Sequence, residues 1–340
     1  MQRARPRIPM LAGLLFNTLE KQLLPAVSLN AGRCLRPRLG NAPCSRCLYS
    51  CPNKALTLDG GKIAFHADRC TECMVCISVC PNDALIAPFA VALLLRVLHE
   101  NRGGQPVVLS CGRTPSAAPN RFIVPCIGYF SEPVLAAMNV VAGSLFYLDI
   151  RGCADCDNGH TLGLLQTRMS GILRKNDRKA ELRLRYLTEA ESGPISYRQG
   201  RRSFFGMVKD HLTEFSGPVG PLEGGLTNGM PLDKDATAIP LLLREALTML
   251  PPDDDAARSL LHAYFHTLTA SGDCNLCPRC TGMCPTGALK RVRNDKGEQQ
   301  LSFTSAKCSG CGLCTAFCNK NALTLRRGAA DRPTPIGIIA

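Results

Sequence analysis

The stretch Cys274-Asn275-Leu276-Cys277-Pro278-Arg279-Cys280-Thr281-Gly282-Met283-Cys284-Pro285 decides the reading of this chain. Its cysteines follow C-x2-C-x2-C-x3-C-P. Cys308, Cys311, Cys314 and Cys318 repeat the spacing, with Asn319 where the proline would stand. Three cysteines set two residues apart wrap a tight loop round three irons of one cubane. The fourth is carried away by the following turn and ligates the other cluster. The expected sets are Cys274, Cys277 and Cys280 with Cys318, and Cys308, Cys311 and Cys314 with Cys284. A zinc ribbon uses two separated C-x2-C knuckles, four ligands in all. The doubled run supplies twice that number, so zinc fits it poorly.

Outward from this stretch the pattern recurs near the other end. Cys70, Cys73, Cys76 and Cys80 form a complete run, and with Cys51 they give one full set: Cys70, Cys73, Cys76 and Cys51. The run before it has Cys44, Cys47 and Cys51, but Asn41 stands where its first cysteine belongs. The second set of this module, Cys44, Cys47 and Cys80, therefore lacks a ligand. Cys34 lies upstream across the loop Leu35 to Pro43 and is the candidate fourth ligand. The alternatives are a three-iron cluster, or a four-iron cluster with an open iron. The phrase Cys51-Pro52-Asn53-Lys54-Ala55-Leu56 returns at Cys80–Leu85, Cys284–Leu289 and, without its proline, Cys318–Leu323. Four such phrases mark an internal repeat.

The composition agrees with a reduced, metal-binding chain. Twenty of 340 residues are cysteine, Trp is absent, and 40 Lys and Arg against 27 Asp and Glu give a net charge of +13. That charge invites nucleic acid as a partner. However, a [4Fe–4S] core with four thiolates carries about −2, so four would bring roughly −8 and offset most of the excess. With no helix-turn-helix or aromatic-plus-basic sheet motif either, no nucleic-acid partner is expected. No apolar run is long enough for a transmembrane helix; the longest, Pro88 to Leu95, reads as a buried helix. Residues 1–33 are basic and amphipathic and lack a small-residue cleavage site, so they read as a packing helix rather than a secretory signal. The cysteines are then expected in a cytoplasmic, reducing setting.

Between the Cys-rich segments the pattern alternates. Short strands are expected at Val107–Ser110, Phe122–Pro125, Leu145–Ile150 and Leu182–Leu187, and helices at Glu132–Val141 and Leu162–Lys175, which argues a small parallel α/β domain. Cys111, Cys126, Cys153 and Cys156 each follow a predicted strand, and strand ends of a parallel sheet gather at one edge. Four convergent thiols make a metal site, with a [2Fe–2S] cluster as the expected occupant. Zinc and a metal-free redox pair of Cys153 and Cys156 are the alternatives. His160 reads as a helix-start or solvent-facing histidine. Helices are expected over Leu241–Met249 and Ala256–Thr269, the latter carrying His262 and His266 on one face. Ser216–Asp235 reads as loop, and Arg201-Arg202-Ser203-Phe204-Phe205 as a basic helix start. No dinucleotide fingerprint, Walker loop or Ser/His/Asp set occurs, and no catalytic residue is named.

The doubled runs resemble bacterial two-cluster ferredoxins, which implies that each module is a pseudo-symmetric pair of short hairpins and helices round two [4Fe–4S] clusters. The middle segment is similar to the delta subunit of methyl-viologen-reducing hydrogenase. That likeness rests on Ser110-Cys111, Val124-Pro125-Cys126-Ile127-Gly128, Asp149-Ile150-Arg151-Gly152-Cys153-Ala154-Asp155-Cys156 and Gly159. It implies a [2Fe–2S] cluster and a relay between a hydrogenase and a flavin-containing heterodisulfide reductase.

The expected architecture is multidomain α+β and α/β. A basic helix (1–33) precedes a ferredoxin-like module (34–88); then come an α/β iron–sulfur domain (105–190), a helical linker (191–270) and a second ferredoxin-like module (271–328). The expected function is electron transfer by four [4Fe–4S] clusters and one [2Fe–2S] cluster, as a non-catalytic subunit working with other redox proteins. Electrons would enter one module, cross the middle cluster and leave by the other. The alternative is a thiol/disulfide oxidoreductase acting through Cys153 and Cys156.

Overall fold

The computed structural model describes residues 27–38, 44–103, 106–113, 121–188, 237–328, 334–335 and 338–339. The expectations for the basic helix of 1–33 before residue 27, for the 201–205 helix start and for the 216–235 loop lie outside the described residues, as does Asn41.

The first module runs through β1 (Ser28–Leu29), α1 (Leu35–Arg38), α2 (Arg46–Ser50), β2 (Leu56–Asp59), β3 (Lys62–Phe65), α3 (Val75–Val79) and β4 (Leu85–Ile86). β2 and β3 form an antiparallel hairpin, and β1 pairs antiparallel with β4, Leu29 opposite Leu85. The middle layer follows with α4 (Val91–Glu100), β5 (Val107–Cys111), β6 (Arg121–Val124), α5 (Glu132–Val141), β7 (Phe146–Asp149), α6 (His160–Lys175), β8 (Leu184–Leu187), α7 (Ala238–Met249) and α8 (Asp255–His262). Its sheet has the order β6-β5-β7-β8, with every described pairing parallel. The second module comprises β9 (His266–Ser271), α9 (Arg279–Met283), β10 (Leu289–Arg293), β11 (Gln299–Phe303), α10 (Leu313–Ala316) and β12 (Leu323–Arg327), with β13 (Thr334–Pro335) and β14 (Ile338–Ile339) added at sheet edges. Here β10 pairs with β11 and β9 with β12, the same two antiparallel pairings as in the first module.

The main core lies between the parallel sheet and its helices. α4 buries Val91, Leu94, Leu95, Val97 and Leu98, a spacing of three and four residues that keeps one face apolar. α5 is buried from Val134 to Val141, so it is apolar nearly all round. Its start carries Glu132, which favours the positive end of the helix dipole, and Pro133, whose missing N–H costs nothing in the first turn. The expected linker 191–270 contributes α7 and α8, whose Leu242, Leu243, Ala246, Leu260 and Leu261 join this same core. One expected helix is shorter than its pattern. Ala256–Thr269 is helical only to His262, after which Thr267 and Thr269, β-branched, pair with β12. His262 and His266 therefore belong to different elements and share no helix face.

Asn139 fastens the buried helix to the sheet edge. Its amide donates to the Leu135 carbonyl at 2.9 Å, and its Oδ1 accepts from the Leu184 N–H at 2.9 Å. Because Asn139 is 0% exposed, Asn139→Ala leaves the Leu184 N–H unpaired away from water and should cost about 1–3 kcal/mol. Denaturant unfolding of the full chain checks this; a loss below about 0.5 kcal/mol, the usual surface effect, would show that water replaces the bond.

Candidate metal centres

Each cysteine run is a short helical turn followed by a sharp exit. Cys51, Cys80 and Cys284 sit in extended conformation at the C-terminal ends of α2, α3 and α9. Two residues past the proline position the backbone turns left-handed in all four phrases: φ is +50° at Lys54, +50° at Asp83, +62° at Gly287 and +50° at Asn321. This turn aims the next N–H back at sulfur. The Ala55, Ala84 and Ala322 N–H groups donate to Cys51, Cys80 and Cys318 Sγ at 3.3, 3.2 and 3.3 Å. The Ala-Leu that ends each phrase then has a physical purpose. Ala55, Ala84, Ala288 and Ala322 are buried and bring backbone close to the thiol, while Leu56, Leu85, Leu289 and Leu323 anchor the turn in the core. Gly287 and Asn321, sharing one repeat position, were the sequence signal for the left-handed turn; the sequence reading passed over it.

In the first module the thiols gather in two groups of four around small cavities. Cys34, Cys44, Cys47 and Cys80 line one cavity with Leu29, Leu35, Ile63 and Leu85. Burial, and then the neighbouring Cys80, Cys44 and Cys34, push the Cys47 thiol up to about 11. Cys34 reaches this group because β1 pairs with β4 as β9 pairs with β12. It follows its strand as Cys274 follows β9, and α1 lies between it and Cys44. Cys51, Cys70, Cys73 and Cys76 line a second cavity with Val27, Leu56, Phe65 and Met74. Cys76 is pushed well above the ordinary thiol range, chiefly by burial.

In the second module Cys308 and Cys314 are pushed up to about 12, first by burial and then by each other's surroundings, Cys311 and Cys284 among them. Cys280 is raised by burial and by Cys277 and Cys274. Cys318 packs with Cys274 and Cys284 on the same small core. Burial penalises the charged thiolate, so these raised thiols stay neutral until a cation compensates them. Among the described residues no three of His, Cys, Asp or Glu come together to hold a single ion. Groups of four thiols spaced round a cavity suit a polynuclear iron–sulfur core, whose irons are spread over several ångströms, and the backbone N–H donors suit its sulfur ligands.

The middle cysteines converge at the carboxyl edge of the parallel sheet. Cys111 ends β5, Cys126 follows β6, and Cys153 and Cys156 lie in the turns after β7. Burial, then Cys111, Cys126 and Cys156, push Cys153 up to about 12. Cys126 is raised by burial as well, with Cys111 and Cys156 adding to it. A redox-active thiol needs the opposite shift, so the environment of Cys153 disfavours the metal-free pair. Gly159 sits 3.0–3.2 Å, measured from an added Cβ, from the carbonyls of Ala154, Cys153 and Cys156, which keeps the turn tight. His160 is exposed at the start of α6, as expected, and stands outside the thiol group.

Comparison with known proteins matches the 4Fe–4S dicluster domain family to residues 43–84 and 268–328. A ferredoxin of Methanothermococcus thermolithotrophicus is 34% identical over 61 residues, 18% of this chain and 93% of that protein. The pyruvate synthase subunit PorD of Thermotoga maritima is 36% identical over 59 residues, 16% of this chain and 60% of that protein. An uncharacterized ferredoxin of Methanocaldococcus jannaschii is 38% identical over 45 residues, 13% of this chain and 73% of that protein. No solved structure matches the chain. No described helix is long and apolar enough to cross a membrane.

The raised thiols fix a pH dependence for the iron-free chain. Unfolded thiols ionise near about 8.5, whereas Cys47, Cys153, Cys308 and Cys314 hold their protons to about 11 or 12 when folded. Between those values the folded state binds more protons, so stability is full below about 8.5 and falls as pH rises. Urea unfolding of the iron-free chain at pH 8 and pH 10 should show the loss; equal or greater stability at the higher pH would contradict buried, grouped thiols.

Proposed function

We propose that this chain, which belongs to the family of 4Fe–4S dicluster ferredoxins, is a multi-cluster electron-transfer protein that holds four [4Fe–4S] clusters in its two modules. The ligand sets we assign are Cys34, Cys44, Cys47 and Cys80; Cys51, Cys70, Cys73 and Cys76; Cys284, Cys308, Cys311 and Cys314; and Cys274, Cys277, Cys280 and Cys318. The observation that carries the reading is the first cavity, which Cys34 lines together with Cys44, Cys47 and Cys80. When bound, such clusters supply one-electron redox chemistry. The chain's own part is to present thiolates, exclude water with aliphatic side chains and direct N–H groups at sulfur, which favours the more negative, reduced state.

For the middle site we assign a [2Fe–2S] cluster to Cys111, Cys126, Cys153 and Cys156. The support is their convergence at one sheet edge and the likeness of this segment to the hydrogenase delta subunit. That likeness also supports a role as a relay subunit of a cytoplasmic complex related to hydrogenase and heterodisulfide reductase, with redox proteins as partners and nucleic acid not among them. The similarity to a pyruvate synthase subunit is in keeping with a partner that is itself a redox enzyme.

Iron and sulfide analysis with low-temperature EPR tests the assignment. Anaerobically prepared protein should contain about 16 irons in cubanes, about 18 with the middle cluster included. Cys34→Ala should either shed about four irons or give the signal of a three-iron cluster, while Asn41→Ala changes neither. An unaltered iron count and spectrum in Cys34→Ala would remove Cys34 from the ligand set. About 16 irons with titratable thiols in the middle domain would favour the oxidoreductase reading instead.

A further inference from the structure

The middle site does not stand between the two modules. Its Cys126 turn lies against the Cys73 loop of the first module. A Cβ added to Gly128 would fall 2.1 Å from the Cys73 carbonyl oxygen, so only glycine permits this approach. The Asn158 amide donates to the Thr71 carbonyl at 2.9 Å, and Arg113 donates to the same oxygen at 3.2 Å. Arg168 completes the attachment. Buried, it donates to the Gly128 and Phe130 carbonyls at 3.1 and 2.7 Å and to Ser78 Oγ of α3 at 2.6 Å.

The two modules touch each other directly at a different place. Leu35 and Leu313, both 2% exposed, form a separate apolar contact, with Cys44, Cys311 and Phe317 packed round it. Arg46, next but one to Cys44, donates to the Gly310 carbonyl at 3.1 Å across 264 residues of chain. Gly310, at φ +66°, takes the imidazole of His266 on its other side, 2.5 Å from an added Cβ. Elsewhere in the second module Ala306 packs against the main core, where its turn meets α7. Within the first module α2, which carries Cys47, packs directly on α3, which carries Cys76, so the two cavities there adjoin.

From these contacts, and resting on the reading that the thiols hold iron–sulfur clusters, we infer that the centres stand in single file and that the modules exchange electrons across the junction of Leu35, Cys44 and Arg46 with Gly310, Cys311 and Leu313. The order runs from the middle cysteines to the Cys51 group, the Cys34 group, the Cys308 group and finally the Cys274 group. It replaces the expected order, in which the middle site separated the modules. Each handover moves one electron, oxidising one centre and reducing its neighbour, with no bond made or broken. The outside donor and acceptor are one-electron redox proteins, one meeting the middle-site end and the other the Cys274 end. Arg46 is a positioning residue: it holds the two facing loops together and places a positive charge beside Cys311.

Spin coupling in the fully reduced, full-length protein tests the order, because neighbouring paramagnets broaden one another and distant ones do not. Cys311→Ala should narrow the signals of the first module, and Cys277→Ala, at the far end of the same module, should leave them unchanged. Cys153→Ala should narrow the signal of the Cys51 group and spare the second module. Arg46→Glu keeps every ligand; it should leave iron content as in the parent while weakening the broadening between modules and shifting the Cys308-group midpoint to more negative potential. Equal effects of Cys311→Ala and Cys277→Ala, narrowing of second-module signals in Cys153→Ala, or unchanged broadening in Arg46→Glu with full iron would overturn the inference. A parent protein without cubane iron would instead overturn the cluster assignment itself.

Discussion

Everything in the two modules depends on thiols packed where a small domain would keep its aliphatic core. The second module buries only Leu268, Ala270, Cys280, Ala288, Leu289, Leu301, Phe303 and Leu323 in its central cluster, with five further cysteines packed against them. So few apolar side chains hold a domain of this size only weakly, and small modules of the kind gain much of their stability from a cofactor or crosslink. Neutral thiols fill the space only weakly, and ionised ones would repel each other in a setting that already disfavours charge. Iron resolves both difficulties at once. It supplies the positive charge, and its bonds to sulfur become the core of the module, so binding and folding share one free energy.

The same constraint shapes the backbone. A loop that surrounds a cavity with sulfur must reverse direction inside a few residues, which accounts for the left-handed Lys54, Asp83, Gly287 and Asn321 and for the second series at Glu72, Met74, Gly310 and Gly312. In bulky residues such conformations are costly and persist where the surroundings over-determine them. Here the cysteines on either side do so. Two of the chain's cations hold this backbone in place: Arg33 meets Asp83, and Arg46 meets the Gly310 carbonyl.

Local spacing was enough to read the cysteine runs, the four repeated phrases and the alternation that builds the parallel sheet, because each of these rests on neighbours in sequence. The convergence of Cys111, Cys126, Cys153 and Cys156 was legible as well, since the carboxyl ends of parallel strands share an edge. Contacts between distant segments carried no such signal. Nothing in Leu35 or Leu313 alone announces that they meet, and the placement of the middle site beside Cys73 turns on Gly128, an ordinary glycine until its neighbour is known. The end of α8 was misjudged because Ala263-Tyr264-Phe265 continues an apolar helical pattern, while the pairing partner that draws Thr267 and Thr269 into a strand, β12, lies more than fifty residues on. Cys34 sat between these cases. Sequence marked it as the available thiol, and the β1–β4 pairing explains how it arrives.

Mössbauer spectroscopy of anaerobically prepared, iron-57-labelled protein tests the central claim most directly, since it sees every iron whatever its spin. The account predicts a spectrum dominated by the valence-delocalised irons of [4Fe–4S] cores, with a smaller contribution from a two-iron centre. A chain that carried zinc instead of iron, or only mononuclear iron in tetrahedral sulfur sites, would contradict it.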